Sequence, residues 1–225
     1  IKGYRSVTLS LKSNHSAPGD ATVDQMNAVA ELADKYSFSE LRVSHEQNLI
    51  LADVLEDKLY ELWEKAKVQK LTTPNVGLLT DIICCPGGDF CSLANAKSIP
   101  IAESIQEVFD DMDYLHDIGE IDLNISGCMN ACGHHHVGHI GILGVDKDGS
   151  EWYQVTLGGN QGNFASIGKV IGPSFSAEEM PTVITKIIET YTTERHADES
   201  FIDCAVRIGL DPFKVNVYGV KGDKS

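Results

Sequence analysis

The sequence predicts an α+β fold in two parts, a β-α-β-β-α unit over residues 1–75 and a larger α/β unit over 76–219. Three observations predict it. Strand and helix periodicities alternate through the first 70 residues without a long loop. The stretch "LTTPNVGL" (71–78) then breaks the pattern. Beyond it, apolar strands and amphipathic helices are arranged around two close pairs of cysteines. A chain of 225 residues is long enough for one sizeable core or two small ones.

Taken in order, "YRSVTLSL" (4–11) reads as a strand. "PGDATVDQM" turns into a helix that Asp20 or Thr22 caps, with Val23, Met26, Val29, Ala30 and Ala33 on one face. "ELRVSHEQ" and "NLILADV" form a strand pair turning at Glu46–Asn48. A second amphipathic helix in "EDKLYELWEKAKV" places Leu55, Leu59, Leu62, Trp63 and Ala66 together. This β-α-β-β-α run is self-contained and ferredoxin-like. In the second part, "GLLTDIICC" reads as an apolar strand running into Pro86-Gly87-Gly88, followed by a helix over "SIPIAESIQEVFDDM" and the strand "IDLNISG". "HIGILGVD" and "EWYQVTLGG" form a hairpin through Lys147-Asp148-Gly149, and "AEEMPTVITKIIETY" reads as a helix. Cys204, in "ESFIDCAVRIG", belongs to a core helix.

The formal net charge is −15, from 18 Lys and Arg against 33 Asp and Glu. Such a surface disfavours nucleic acid and anionic membranes. No apolar run approaches the roughly 20 residues that span a bilayer. With no secretory signal, the expected location is cytoplasmic, where close cysteine pairs point to metal or redox chemistry rather than disulfides. The chain opens without Met, close to a strand, and ends in "VKGDKS"; it reads as a piece of a longer polypeptide, with 220–225 a disordered tail.

"SGCMNACGHHHVGHIGILG" (126–144) sets two cysteines four apart, then four histidines within six positions. The spacing Cys85-x5-Cys91, then Cys128-x3-Cys132, lacks the C-x2-C knuckle of structural zinc sites. Each pair lies where a strand gives way to a glycine-rich turn, as iron–sulfur thiolates require. From spacing alone, iron–sulfur ligation, a Cys/His zinc module and a plain structural turn stay open. Cys84 faces away from Cys85, because successive strand side chains alternate, and reads as a buried, hydrophobe-like thiol. "GHIGILG" lacks the G-x-G-x-x-G spacing and the following helix of a dinucleotide loop.

"CCPGGDFCSLANAKS" and "NISGCMNACGHHHVGHIGILG", with "GDATVDQM", "ELRVSHEQNLILAD" and "LLTDIICCPGGDFC", closely resemble the nitrite and sulfite reductase superfamily. The likeness is strongest to the C-terminal half of bacterial assimilatory sulfite reductase hemoprotein components. The resemblance implies a ferredoxin-like half-domain followed by a siroheme and [4Fe-4S] domain. It implies a cluster held by Cys85, Cys91, Cys128 and Cys132, with Cys132 also the axial ligand of siroheme iron. Function is then the six-electron reduction of sulfite, or of nitrite in the alternative, with an NADPH flavoprotein or a ferredoxin as electron donor. A stand-alone [4Fe-4S] electron-transfer module is the remaining rival.

Catalytic residues are not identified in this chain; the substrate-gripping basic groups are expected in an N-terminal half of the same polypeptide. Asn130, His134, Gln47 and Asn48 are candidate cofactor contacts, against the plainer reading of turn residues. His135, His136 and His139 read as turn or supporting residues, and Lys97 and Arg42 as salt-bridged surface groups. A half-domain lacking its counterpart is expected to expose an apolar sheet edge or face.

Overall fold

In a computed structural model, which describes residues 2–14 and 16–219, the first unit is an antiparallel sheet of order β1-β3-β2. Its strands are β1 (Tyr4–Leu9), β2 (Leu41–Val43) and β3 (Leu49–Leu55), and its helices are α1 (Val23–Tyr36) and α2 (Leu59–Val68). Val29, Leu32, Ala33, Leu51, Val54, Leu62 and Ala66 form its core. Thr22 rather than Asp20 caps α1: its hydroxyl accepts from Gln25 N, and Gln25 Oε1 accepts from Thr22 N at 2.9 Å.

The buried stripe of α1 differs from the expected one. Val29 and Ala33 face the core with Leu32 and Tyr36, whereas Val23, Met26 and Ala30 are exposed. Val23 and Met26, in the first turn of α1, are thus left largely uncovered. In α2, Leu62 and Ala66 are buried, Trp63 is exposed, and Leu55 belongs to β3. β2 is an edge strand with every residue exposed, including Leu41 and Val43. An apolar edge is therefore uncovered.

The second unit holds a five-stranded sheet of order β4-β5-β6-β7-β8: β4 (Ile83–Cys84), β5 (Leu123–Ser126), β6 (Ile140–Lys147), β7 (Ser150–Leu157) and β8 (Lys169–Val170). β4, β5 and β6 are parallel; β7 and β8 continue antiparallel. The helices are α3 (Ile99–Val108), α4 (Met112–Ile118), α5 (Met180–Glu194), α6 (Phe201–Ile208) and α7 (Asp211–Tyr218). Ile105, Ile125, Ile142, Val155, Ile184, Ile187, Phe201 and Cys204 lie in one apolar core. None of the described helices is long and apolar enough to cross a membrane. The tail expected over 220–225 lies outside the described residues.

Two expected elements are shorter. The strand read over 77–85 is only Ile83–Cys84, because turns occupy the residues before it: Leu78 N donates to Asn75 O and Asp81 N to Leu78 O. Polar side chains stabilise those turns at the expense of a ladder; Asp81 Oδ2 accepts from Gly77 N at 3.0 Å. The helix read over 98–112 ends at Val108, and Asp111 caps a separate α4 by accepting from Asp113 N and Tyr114 N.

The two units meet around a buried ion pair. The Lys12 side chain is fully buried at the end of the first strand. Its Nζ donates to Glu46 O (2.7 Å), Ile82 O (2.8 Å) and Asp81 Oδ1 (3.3 Å). Asp81 also accepts from Asn48 Nδ2 at 2.8 Å. Burial pushes the Lys12 pKa down, and the Asp81 carboxylate opposes that shift. Removing one partner of such a pair strands the other charge. Asp81→Ala is expected to destabilise the chain by about 3 kcal/mol, more than Lys12→Met, which leaves the Asp81 carboxylate still bonded by Asn48 Nδ2 and Gly77 N. Urea unfolding of the two variants checks this; a smaller loss in Asp81→Ala than in Lys12→Met would contradict it.

Candidate metal centre

Parallel pairing brings the two cysteine loops to one end of the sheet. Cys84 sits opposite Ile125 across β4 and β5, so the chain leaves both strands at neighbouring points, Cys85 and Gly127. Crevices at the carboxyl ends of parallel strands are where α/β sheets collect ligands. Cys85 N donates to Ile125 O at 3.1 Å, extending the ladder to the first candidate ligand.

The loops are laced together beyond the strands. Gly127 N donates to Cys85 Sγ at 3.1 Å, and Ser98 Oγ lies 3.5 Å from the same sulfur. Gly127 O accepts from Asn95 N and Ala96 N, while Cys91 N and Gly88 N bond Gly87 O and Ala96 O. This lacing needs glycine. Gly87 has φ +56°, and a Cβ there would stand 2.5 Å from Ser98 N; one on Gly127 would stand 2.6 Å from Ala96 O.

Cys85 and Cys128 are buried, Cys91 is half-buried and Cys132 is exposed, so one side of the site is open. Cys132 follows Ala131, held at φ 56° in a turn closed by Ala131 N on Cys128 O. Cys84 departs from the set: it lies in the hydrophobic core, and its Sγ donates to Cys85 O at 3.2 Å. Burial first, then the neighbouring Cys85, raises its pKa far above the usual thiol range. Cys204 is fully buried in α6, also raised by burial.

All six cysteines are free thiols. Among the described residues, no three His, Cys, Asp or Glu side chains are gathered closely enough to hold one metal ion. A structural zinc needs four donors around one point, whereas a cubane gives each of four thiolates a separate iron. The residues present fit the cubane: reduced thiols on two interlocked loops, an N–H already aimed at one sulfur, and glycines where side chains would obstruct the approach.

The other candidates separate. Asn130 and His134 are exposed on the loop that carries Cys132, His134 at φ 52°. The polar groups of Gln47 and Asn48 are engaged inside the protein. Gln47 Oε1 accepts from Cys84 N and its Nε2 donates to Cys84 O, both at 2.9 Å; Asn48 bonds Leu11 N and Asp81. Both amides thus already bridge the two units. His139 Nδ1 accepts from Asp122 N, and its ring stacks on Phe201. Lys97 pairs with Asp89 and Arg42 with Glu40. Sequence reasoning missed Ser98, Lys12 and the Gly127 N–H. Ser98 lies 13 positions beyond Cys85 and carries no spacing signal, but a lysine closing an apolar strand was a visible oddity.

Family models match both units: the nitrite and sulphite reductase 4Fe-4S domain over residues 78–222, and the nitrite/sulfite reductase ferredoxin-like half domain over 2–68. The chain belongs to the nitrite and sulphite reductase family. A [4Fe-4S] cluster with siroheme is the cofactor set of that family. Among relatives, an assimilatory ferredoxin-dependent nitrite reductase of Haloferax mediterranei is 28% identical over 190 residues, 82% of this chain and 32% of its own length. An assimilatory-type sulfite reductase of Nitratidesulfovibrio vulgaris is 25% identical over 178 residues, 77% of this chain and 76% of that protein. The solved structure of Mycobacterium tuberculosis NirA superposes with a TM-score of 0.77 at 23% identity, covering 94% of this chain and 39% of NirA. The chain thus spans about a third of the nitrite reductases it matches and three quarters of that sulfite reductase.

Within the family's cluster domain, His135 supplies a pH dependence. Its Nδ1 is buried without a partner, and burial, with His136 beside it, lowers its pKa to about 4. The unfolded chain protonates the same ring near 6.5. Between those values the unfolded state binds more protons, so folding weakens as pH falls from 6.5 toward 4. His135→Leu is expected to flatten that part of the stability profile in thermal melts of the cluster-free chain; an unchanged slope would contradict it.

Proposed function

We propose that this chain is the cluster-bearing half of an assimilatory sulfite reductase, organised as a half-domain over 1–75 and a siroheme and [4Fe-4S] domain over 76–219. The lacing of the Cys85 loop onto Gly127, beside Cys128, carries the reading. Cys85, Cys91, Cys128 and Cys132 would hold the cluster, and Cys132, the exposed member, would also bind siroheme iron. When bound, that pair would relay, in steps from an external electron donor, the six electrons that convert sulfite to sulfide. The chain's own part is to fix the thiolates, aim the Gly127 N–H at sulfur and keep Cys84 out of the ligand set. Asn130 and His134 are the groups beside Cys132 proposed to contact the macrocycle.

Sulfite is favoured over nitrite because the relative matched over three quarters of its own length carries that name. Nitrite is the second reading, carried by the name of the Haloferax relative, which also favours ferredoxin over an NADPH flavoprotein as donor. The anion grip would come from outside this chain. All four arginines are committed to carboxylates: Arg5 to Glu56, Arg42 to Glu40, Arg195 to Asp117 and Arg207 to Glu199. Siroheme carboxylates and sulfite both call for charge-assisted donors. The uncovered apolar residues of β2 and α1 fit a counterpart half-domain from the N-terminal half. The Nitratidesulfovibrio relative leaves little length for such a half, which favours, as a second arrangement, a chain that works without one.

Anaerobic reconstitution with iron, sulfide and siroheme tests the reading through metal and sulfide content and the visible spectrum, then through sulfite- and nitrite-dependent oxidation of a reduced dye. The expected result is a loaded chain that turns over sulfite only when the N-terminal half is added. A colourless chain that takes up zinc instead would overturn the cluster reading; full turnover by the chain alone would establish the second arrangement. Cys132→Ser is expected to lose siroheme as well as iron, and Cys85→Ser chiefly iron, because a hydroxyl is a poorer ligand than thiolate and only Cys132 serves both centres. Equal siroheme content in the two variants would remove the bridging role.

A further inference from the structure

β4 is two residues long and lies at the edge of its sheet, yet it must hold the first candidate ligand in place. Its inner edge is bonded to β5, ending with Cys85 N on Ile125 O. Among the described residues, no strand covers its outer edge. The half-domain does so with side chains. The Gln47 amide bonds Cys84 in both directions, as a neighbouring strand would, and Lys12 Nζ takes Ile82 O. Gln47 reaches this position from φ 57°, a conformation uncommon outside glycine, in a turn closed by Gln47 N on Ser44 O. Their bonds here go to main chain, not to a cysteine sulfur. Both hold the backbone from which Cys85 projects.

We propose that Gln47, seconded by Lys12, is a positioning residue for Cys85: it substitutes for a missing strand and so lets the half-domain set the geometry and potential of the cluster in the other unit. This rests on the cluster reading above. With Cys84 held from outside, Cys85 Sγ stays within reach of Gly127 N–H. Hydrogen bonds to sulfur favour the reduced, more negative cluster and thereby set its potential. Groups that orient a metal ligand without touching the metal affect affinity and potential in this way. A groove of about 600 Å³ opens at the same place, lined by Met26, Leu41, Val43, Gln47, Cys85 and Phe90. Movement of the 44–48 turn, at the wall of that groove, would pass to Cys85 through one amide.

Gln47→Met keeps the length and removes both bonds; Gln47→Glu keeps an acceptor for Cys84 N but places no donor on Cys84 O. Leu62→Ala, in the half-domain core and away from β4, controls for general destabilisation. In the cluster-free chain, Gln47→Met is expected to speed amide hydrogen exchange at Ile83, Cys84 and Cys85 roughly tenfold relative to wild type, as loss of a hydrogen bond allows. Leu62→Ala should not concentrate its effect there. After reconstitution, Gln47→Met should release iron to a chelator about 10-fold faster, show a lower cluster midpoint potential, and alter the reduced-state paramagnetic spectrum, with Gln47→Glu intermediate. If wild type loads normally but Gln47→Met matches Leu62→Ala in exchange, potential and spectrum, the positioning role is overturned and the cluster reading stands. A wild-type chain that takes up no iron and sulfide overturns both.

Discussion

The site depends on one constraint: two cysteine loops far apart in sequence must begin at neighbouring points, and only parallel pairing of β4 with β5 puts them there. Parallel strands cannot be joined by a tight turn. The connection between them, residues 85–122, therefore contains the first cysteine pair and two helices, α3 and α4. The loop that leaves Cys85 returns to Gly127 through Asn95 and Ala96, so the crossover is fastened to the second loop before it departs. Ile105, Ile125 and Ile187 belong to the apolar core that packs this sheet against its helices.

The second unit is thus a scaffold for a site, while the first contributes something different. Its sheet is small, one edge is uncovered, and its best-defined interaction with the rest of the chain is polar. A cation buried with its carboxylate gives little net stability compared with apolar packing, but it tolerates only one arrangement of its partners. Lys12, Asp81 and Asn48 act as a register for the junction, joining the first strand, the 44–48 turn and the approach to β4 in one set of bonds.

Much of this was legible in the sequence. The β-α-β-β-α order and the hairpin at Lys147–Gly149 follow from periodicity and turn residues. The four cysteines stood out by spacing next to glycine, and Cys84 was set apart by strand alternation alone. The illegible parts have physical reasons. Residues 77–82 look like a strand because Leu78, Leu79 and Ile82 are all buried, yet Asn75 and Asp81 redirect the backbone into turns. Val23 and Met26 fit a helical stripe, yet the fold leaves both largely uncovered. Gln47 was singled out for its place in a motif, but its role depends on reaching a strand 37 positions away, which no local pattern records.

Gly87 and Gly127 meet so closely that a single methyl group at either would collide with backbone. Side-chain networks decay by degrees as one substitution at a time loosens them. A junction made of bare main chain has no such gradient. At these two positions the sequence has no neighbouring solution to drift toward, and a lineage that lost either glycine would have to abandon the cofactor or rebuild both loops together.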